Sequence, residues 1–261
     1  MKKRPLGQNF LIDREAAREI VLQADINPED PVLEIGPGKG ILTEFLLEKT
    51  GALIALEVDS KLCTALDARF GSNPGFKLLE ADALKFDFGR IGPRFKVVAN
   101  LPYYAATHIL KRLIYFQSHV IDMTVMLQKE VVDRLVAEPG QKEYGSLSVF
   151  VQYHNEVRRV LEVGREAFSP PPKIDSSVVK LIPLQIPKVD VKNETIFFKI
   201  VHAAFLHKRK MLKNNLKGWE NQFLKENGKI HMAGIDLSQR GETLSLEDFA
   251  TLSNFVHPHH E

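Results

Sequence analysis

The chain is nearly without cysteine: Cys63 is the single one among 261 residues. No intrachain disulfide can form, and a thiolate metal site is excluded. Such usage fits a reducing, intracellular compartment, so we expect a cytoplasmic protein. Long apolar runs are also missing. No stretch reaches the eighteen or so residues that a membrane-spanning helix needs. The opening MKKRPLGQNFLIDREAAREIV is basic and lacks the apolar core of a signal peptide. There is no internal repeat and no low-complexity tract. His202 and His207 are five apart and share no helical face, so no metal site is expected. Nor does one sign of charge dominate: 35 Lys and Arg face 33 Asp and Glu, a net +2. The imbalance is local. From Lys199 to Lys217 lie six basic residues and no acidic one, a basic patch on a nearly neutral chain.

Hydrophobic content of 44% and charged content of 26% are ordinary for a soluble globular protein. Seven short apolar runs recur: PVLEI (31–35), ALIALEV (52–58), FKLLEA (76–81), KVVANL (96–101), DMTVMLQ (122–128), SLSVFVQYH (146–154) and SSVVKLIPL (176–184). They are mostly not alternating, as expected of strands covered on both faces. Helix-period segments such as GILTEFLLEKTG and SKLCTALDARFG separate the early runs, and each ends in Gly. Strand–helix alternation predicts an α/β fold with a doubly wound, mostly parallel sheet of seven strands. The last two runs have little helix between them and are expected to form an antiparallel hairpin at one edge. PLQIPKVDVKNE reads as a linker. Only helical patterns follow: 194–227 and SLEDFATLSNFV (245–256). We therefore expect an α/β domain over 1–187 and a small all-helical domain over 188–261. The tail, His257 to Glu261, carries no packing signal.

VLEIGPGKGIL follows a strand and opens a helix. Gly36, Gly38 and Gly40 form G-x-G-x-G, which lets backbone approach a ligand in front of a helix N-terminus. A dinucleotide site would want G-x-G-x-x-G, and Ile41 breaks that fingerprint, which weakens a nicotinamide oxidoreductase. With Glu34 just ahead, the pattern suits S-adenosylmethionine, which has no pyrophosphate to cradle. Glu57 stands twenty-one residues after Gly36, at the end of the second strand. A carboxylate there can accept both ribose hydroxyls. Asp82 ends the third strand, where an acid can accept from an adenine amino group. Taken singly, each feature could equally be an ordinary turn glycine or a solvated acid; three in a row at successive strand ends favour the donor site.

The fourth strand runs into Asn100, Leu101, Pro102 and Tyr103. A residue before proline is held extended, and Pro102 fixes the turn without a donor of its own. The Asn100 amide oxygen and a backbone carbonyl then make two acceptors beside an aromatic wall, Tyr103. Two acceptors at one point suit an –NH₂ group, and a flat wall suits a nucleobase. An adenine amine is a weak nucleophile, and holding both N–H bonds aims its lone pair at a methyl group; the rest is positioning. Alone, the tetrapeptide could simply cap the helix that follows. Phe168 precedes three prolines, which stiffen a loop able to offer a ring for stacking; a core aromatic at a domain edge is the equal alternative. Lys208, Arg209, Lys210, Lys213 and Lys217 are expected on a helix whose apolar face packs while the basic face meets phosphate; a merely solvated face is the alternative.

These motifs stand in an order that resembles the ribosomal RNA adenine N6,N6-dimethyltransferases, the group tied to kasugamycin sensitivity in bacteria. The likeness covers GQNFL (7–11), EIGPGKG (34–40), LEVD (56–59), ADAL (81–84), NLPY (100–103), YGSLSVFVQ (144–152), FSPPPKIDS (168–176) and HKRKMLKNNL (207–216). His207 departs, standing where the family pattern has Gln. The resemblance implies a Rossmann-like methyltransferase sheet with S-adenosylmethionine as donor. Gln8, Asn9, Leu11, Gly36, Gly38, Glu57, Asp82, Ala83 and Asn100 would contact that donor. Asn100 to Tyr103 would hold the target adenine, and Phe168 would stack on it. The implied substrate is a pair of adjacent adenines near the 3′ end of small-subunit ribosomal RNA, in an immature 30S particle, with the enzyme acting as a monomer. Two rivals remain: the sister group that dimethylates large-subunit RNA and confers macrolide resistance, and a non-catalytic assembly or transcription factor on the same fold.

Overall fold

The structure, a computed structural model, describes residues 9–219, 225–226, 229–230 and 234–255. Gln8 and the tail fall outside the described residues. The chain forms two compact units: Met1–Val132 with Glu156–Pro183, and Asp133–Asn155 with Leu184–Glu261.

In chain order, the first stretch holds β1 (Phe10–Leu11), α1 (Arg14–Gln23), β2 (Val32–Ile35), α2 (Ile41–Leu47), β3 (Leu53–Glu57), α3 (Ser60–Phe70) and β4 (Phe76–Glu80). Then come β5 (Phe95–Asn100), α4 (Ala106–Tyr115), β6 (Val120–Gln128), α5 (Lys129–Val136) and α6 (Ser146–His154). They are followed by β7 (Asn155–Val163), β8 (Phe168–Ser169) and β9 (Ser176–Pro183). The seven-stranded sheet has the order β4-β3-β2-β5-β6-β9-β7. Its first five strands are mutually parallel, and β9 runs antiparallel to β6. The chain leaves β2 for β3 and β4, then returns to β5 on the other side of β2. Such a reversal opens a crevice at the carboxyl ends of the two strands, here at Gly36 and Asn100. β2 is buried at every position, and β5 at every position but Asn100. Each fully buried Val, Ile or Leu stabilises by about 1.5–3 kcal/mol, so the strand ends that carry the site are firmly held.

α1 is started and stopped by named groups. Asp13 caps it by accepting from the amides of Glu15 (2.9 Å) and Ala16 (3.2 Å). Its last carbonyls are served by two buried lysines from the sheet. Lys96 donates to Ala24 and Asp25, and Lys180 donates to Gln23. Asp122, 3.1 Å from Lys96, offsets the buried charge.

The second unit departs from expectation in three ways. First, SLSVFVQYH is helix α6, not a strand. Seven of its nine residues are buried, and a helix wrapped on nearly every side shows no 3.6-residue period to distinguish it from a covered strand. The strand is the next segment, β7, whose charged residues hid it at the sheet edge. Second, Asp133–Asn155 groups with the C-terminal residues and not with the α/β unit. Val149 and Tyr153 of α6 are buried in one cluster with Tyr144 and with Phe197, Ile200 and Val201 of α7 (Glu194–Ala204), and with Phe249 and Leu252 of α9 (Leu246–Asn254). The expectation placed a single boundary after 187; the two units divide at Val132/Asp133, Asn155/Glu156 and Pro183/Leu184. Third, the helix expected to run on past 204 does not. Asn215, in the short α8 (Leu212–Asn215), donates to the carbonyls of Ala204 (2.6 Å) and His207 (3.2 Å). Those bonds take carbonyls that a continuing helix would have used. Beyond α8, β10 (Lys225–Glu226) pairs with β11 (Lys229–Ile230), so among the described residues the unit is not all-helical as expected. Ser245 and Asp248 form a reciprocal capping box at the start of α9.

Candidate active site

The ends of four neighbouring strands enclose a cavity of about 540 Å³. From β2 comes the loop Gly36–Lys39, from β3 Glu57, from β4 Asp82 and Ala83, and from β5 Asn100 to Tyr103. Asn9, Phe10 and Leu11 close one side. Every donor-site residue expected from the sequence lines this one cavity, save Gln8, which lies outside the described residues.

The loop's shape depends on glycine at two places. Gly38 has φ +59, and a Cβ there would come 3.1 Å from the Phe10 ring; Gly40 has φ +80, and a Cβ would stand 2.6 Å from Phe70. Side chains rarely adopt that backbone region. Glu57 holds the loop from the next strand. It is only 4% exposed, and its carboxylate accepts from the amides of Val58 (2.8 Å), Asp59 (3.0 Å) and, more weakly, Gly38 (3.3 Å). The sequence suggested a ligand-facing acid; the structure adds a second task, that of joining two strand ends. Asp82 is half-buried and accepts from the Leu84 amide at 2.9 Å.

Below the loop, Glu34 is 1% exposed. Burial, reinforced by the charge on Glu57, pushes its carboxyl up to about 8, against the pull of a 2.7 Å hydrogen bond from Thr43. The neutral form is thus favoured near pH 7, and its other oxygen has no hydrogen-bond partner. A carboxyl so enclosed ties β2 to Thr43 of α2 and does not line the cavity.

On the β5 side, the Leu101 amide donates to Met126 (3.2 Å) and the Pro102 carbonyl accepts from Ala105 (2.9 Å). The turn is thus fixed at both ends. The Tyr103 hydroxyl shares a 2.8 Å hydrogen bond with Ser176, which sets the ring as a wall. Burial pushes the phenol of Tyr103 up; Tyr104 shifts the same way, by burial first and then by the charges of Asp82 and Glu57. Neither phenol can act as a base near neutral pH.

Phe168 does not join this wall. It pairs with Leu11 across the β1–β8 ribbon, is 3% exposed, and belongs to the core cluster that holds Leu11, Ala17 and Ile20. Its ring is enclosed in this structure. The proline run suggested a presented ring; the ribbon turns that ring inward, where it anchors β1 at the cavity's edge. Among the lining residues that escaped sequence reasoning are Lys39 and Tyr104. Lys39 lies inside the glycine motif, where only the glycines drew attention. Tyr104, 61% exposed, follows the tetrapeptide directly.

In the other unit, Lys208, Arg209 and Lys210 occupy turns between α7 and α8, Lys213 lies in α8, and Lys217 follows it. All five are exposed, as are Leu206 and Met211 beside them. Apart from Lys213 on the short α8, the basic run is a loop surface and not one helix face.

A family model described as "Ribosomal RNA adenine dimethylase" matches residues 1–257. Proteins named "Ribosomal RNA small subunit methyltransferase A" from Bacillus mycoides and Bacillus anthracis are each 44% identical over 97% of this chain and 90% of their own length. The crystal structure of a dimethyladenosine transferase from Plasmodium falciparum superposes with a TM-score of 0.77 at 28% identity, covering 93% of this chain and 95% of that one. The 23S rRNA methyltransferase ErmE shares the fold, with a TM-score of 0.73 at 23% identity over 95% and 99% of the two chains. Since the family model and relatives of this identity span nearly the whole sequence, the chain belongs to the ribosomal RNA adenine dimethylase family.

Proposed function

We propose that the protein transfers methyl groups from S-adenosylmethionine to the N6 atoms of two adjacent adenines near the 3′ end of small-subunit ribosomal RNA, giving dimethyladenine at each. The observation that carries this reading is the convergence of Asp82, Glu57, the glycine loop and Asn100–Tyr103 on one cavity. The residues suit the donor: a buried carboxylate for a diol, an acid on one side of it for an adenine amine, and a glycine-rich loop on the other. The cavity's volume is also that of an ordinary small-ligand pocket. When bound, the donor supplies an electrophilic methyl group on a sulfonium.

The chain's own residues do the positioning. The Asn100 amide oxygen and a backbone carbonyl of the turn accept the two N–H bonds of the adenine amine. Tyr103, tied to Ser176, faces the ring. In-line placement of this kind supplies much of the rate of a methyl transfer. No side chain need take the proton before transfer, since the alkylated amine is acidic and releases it to water. After the first methyl the amine must turn so that N–H and CH₃ are accommodated together. Pairing in a duplex would bury that edge, so each target base has to be splayed from its stack. The exposed basic loop of the second unit supports phosphate binding. We take the substrate to be an incompletely assembled small subunit, and the enzyme to act as a cytoplasmic monomer. Among the described residues no helix is long and apolar enough to cross a membrane.

The test is mass spectrometry of nuclease-digested RNA after incubation with donor and immature small subunits. Dimethyladenine at two neighbouring loop positions is expected, with much weaker activity on a fully paired duplex. Monomethyladenine alone, methyl groups on other bases, or modification confined to large-subunit RNA would contradict the reading.

A further inference from the structure

Across the sheet, the cavity's polar groups fall in the order of the strands that carry them: Asp82 after β4, Glu57 on β3, the glycine loop after β2, and Asn100 on β5. With an adenine on the Asp82 side and its ribose at Glu57, the donor's aminoacyl tail comes to the β2 loop and to β1 beside it. Lys39 stands there. Among the described residues it is the one basic side chain that lines the cavity, against the acids Glu57 and Asp82. Its ammonium lies 4.8 Å from the centroid of the Phe10 ring, an arrangement that favours one position for a long side chain. Its backbone is held too: the Lys39 carbonyl accepts from Arg69 at 3.2 Å, and Arg69 is paired with Glu44, which Arg14 also grips.

We propose that Lys39 is the counter-ion of the donor's α-carboxylate, so that the site distinguishes a full aminoacyl tail from thioadenosines that lack one. The proposal rests on the cavity's being the donor site. The chemistry calls for such a group. A carboxylate brought against a surface already carrying two acids needs either a cation or several N–H donors, and an ammonium on a flexible stem meets it as a point charge. Lys39 is exposed, so the attraction is screened and its size is that of a half-open ion pair.

Calorimetry on the full chain tests this with two ligands. S-adenosylhomocysteine carries the carboxylate, whereas 5′-methylthioadenosine has the same adenosine and sulfur without the tail. Lys39→Met should weaken S-adenosylhomocysteine about five-fold and leave 5′-methylthioadenosine unchanged. Lys39→Arg should restore most of the affinity. Added NaCl should lower wild-type affinity for S-adenosylhomocysteine more than it lowers that of Lys39→Met. Equal weakening of both ligands would overturn the proposal and make Lys39 a residue that only shapes the loop. Unchanged binding of both ligands, with RNA affinity alone reduced, would overturn it in favour of a phosphate-binding role. If neither ligand bound the wild-type protein, the donor reading itself would be the failure.

Discussion

In the proposed function Glu57 and the Lys208–Lys210 run both meet a ligand through charge, yet they are built in contrasting ways. Glu57 is 4% exposed and its oxygens grip backbone amides of two strand ends. Lys208, Arg209 and Lys210 lie exposed on turns between two helices. The first arrangement fixes a charge before the ligand arrives, which suits a small molecule of constant shape. The second leaves the charges to adjust as they meet phosphates, which suits a long polyanion read by charge and not by base. Preorganisation is concentrated where atoms must meet within tenths of an ångström.

The contrast can be broken from the rigid side first. Phe168→Ala should destabilise the protein by about 3–5 kcal/mol, because its ring is enclosed with Leu11 and Ile20. Chemical denaturation would measure this, and near-wild-type stability with slower methylation would instead restore a stacking role. Next comes Glu34, whose carboxyl rises from 4.5 to about 8 on burial. The native state therefore binds more protons than the unfolded one between those values. Stability should fall as pH rises through that window, by up to about 1.4 kcal/mol per pH unit from this group. Glu34→Gln should flatten the slope of unfolding free energy against pH, and an identical slope would mean the carboxyl titrates normally. The smallest effect is expected on the flexible side. Replacing Lys208, Arg209 and Lys210 together should leave stability alone. It should reduce the salt slope of RNA binding by roughly 0.7–0.9 for each phosphate that is no longer neutralised. Titrations at several ionic strengths give the slope, and an unaltered one would mark the run as a solvated face.

The same division governs what the sequence could convey. Glu57, Asp82 and Asn100 were legible because parallel strands bring their carboxyl ends to one rim, so position along the chain translates into position in space. Phe168 was left between two equal readings, a presented ring and a core aromatic, because whether its ring turns out or in depends on β1 pairing with β8, two strands far apart in sequence. SLSVFVQYH misled for a related reason: burial on all sides erases the period that separates helix from strand. The basic run was found by composition, but its conformation was set by Asn215 reaching back to the carbonyls of Ala204 and His207. Lys39 was hidden in plain view, because glycine spacing explained the motif without it.

In the proposed reaction Asn100 is the group that holds the target amine. Single-turnover methylation by Asn100→Ala at saturating donor, with donor affinity titrated in parallel, is the most direct test. The rate should fall about a hundred-fold or more, as a misplaced reactant requires, while donor affinity changes far less. A variant that transferred methyl groups at the wild-type rate would contradict the reading of the NLPY turn as the adenine's cradle.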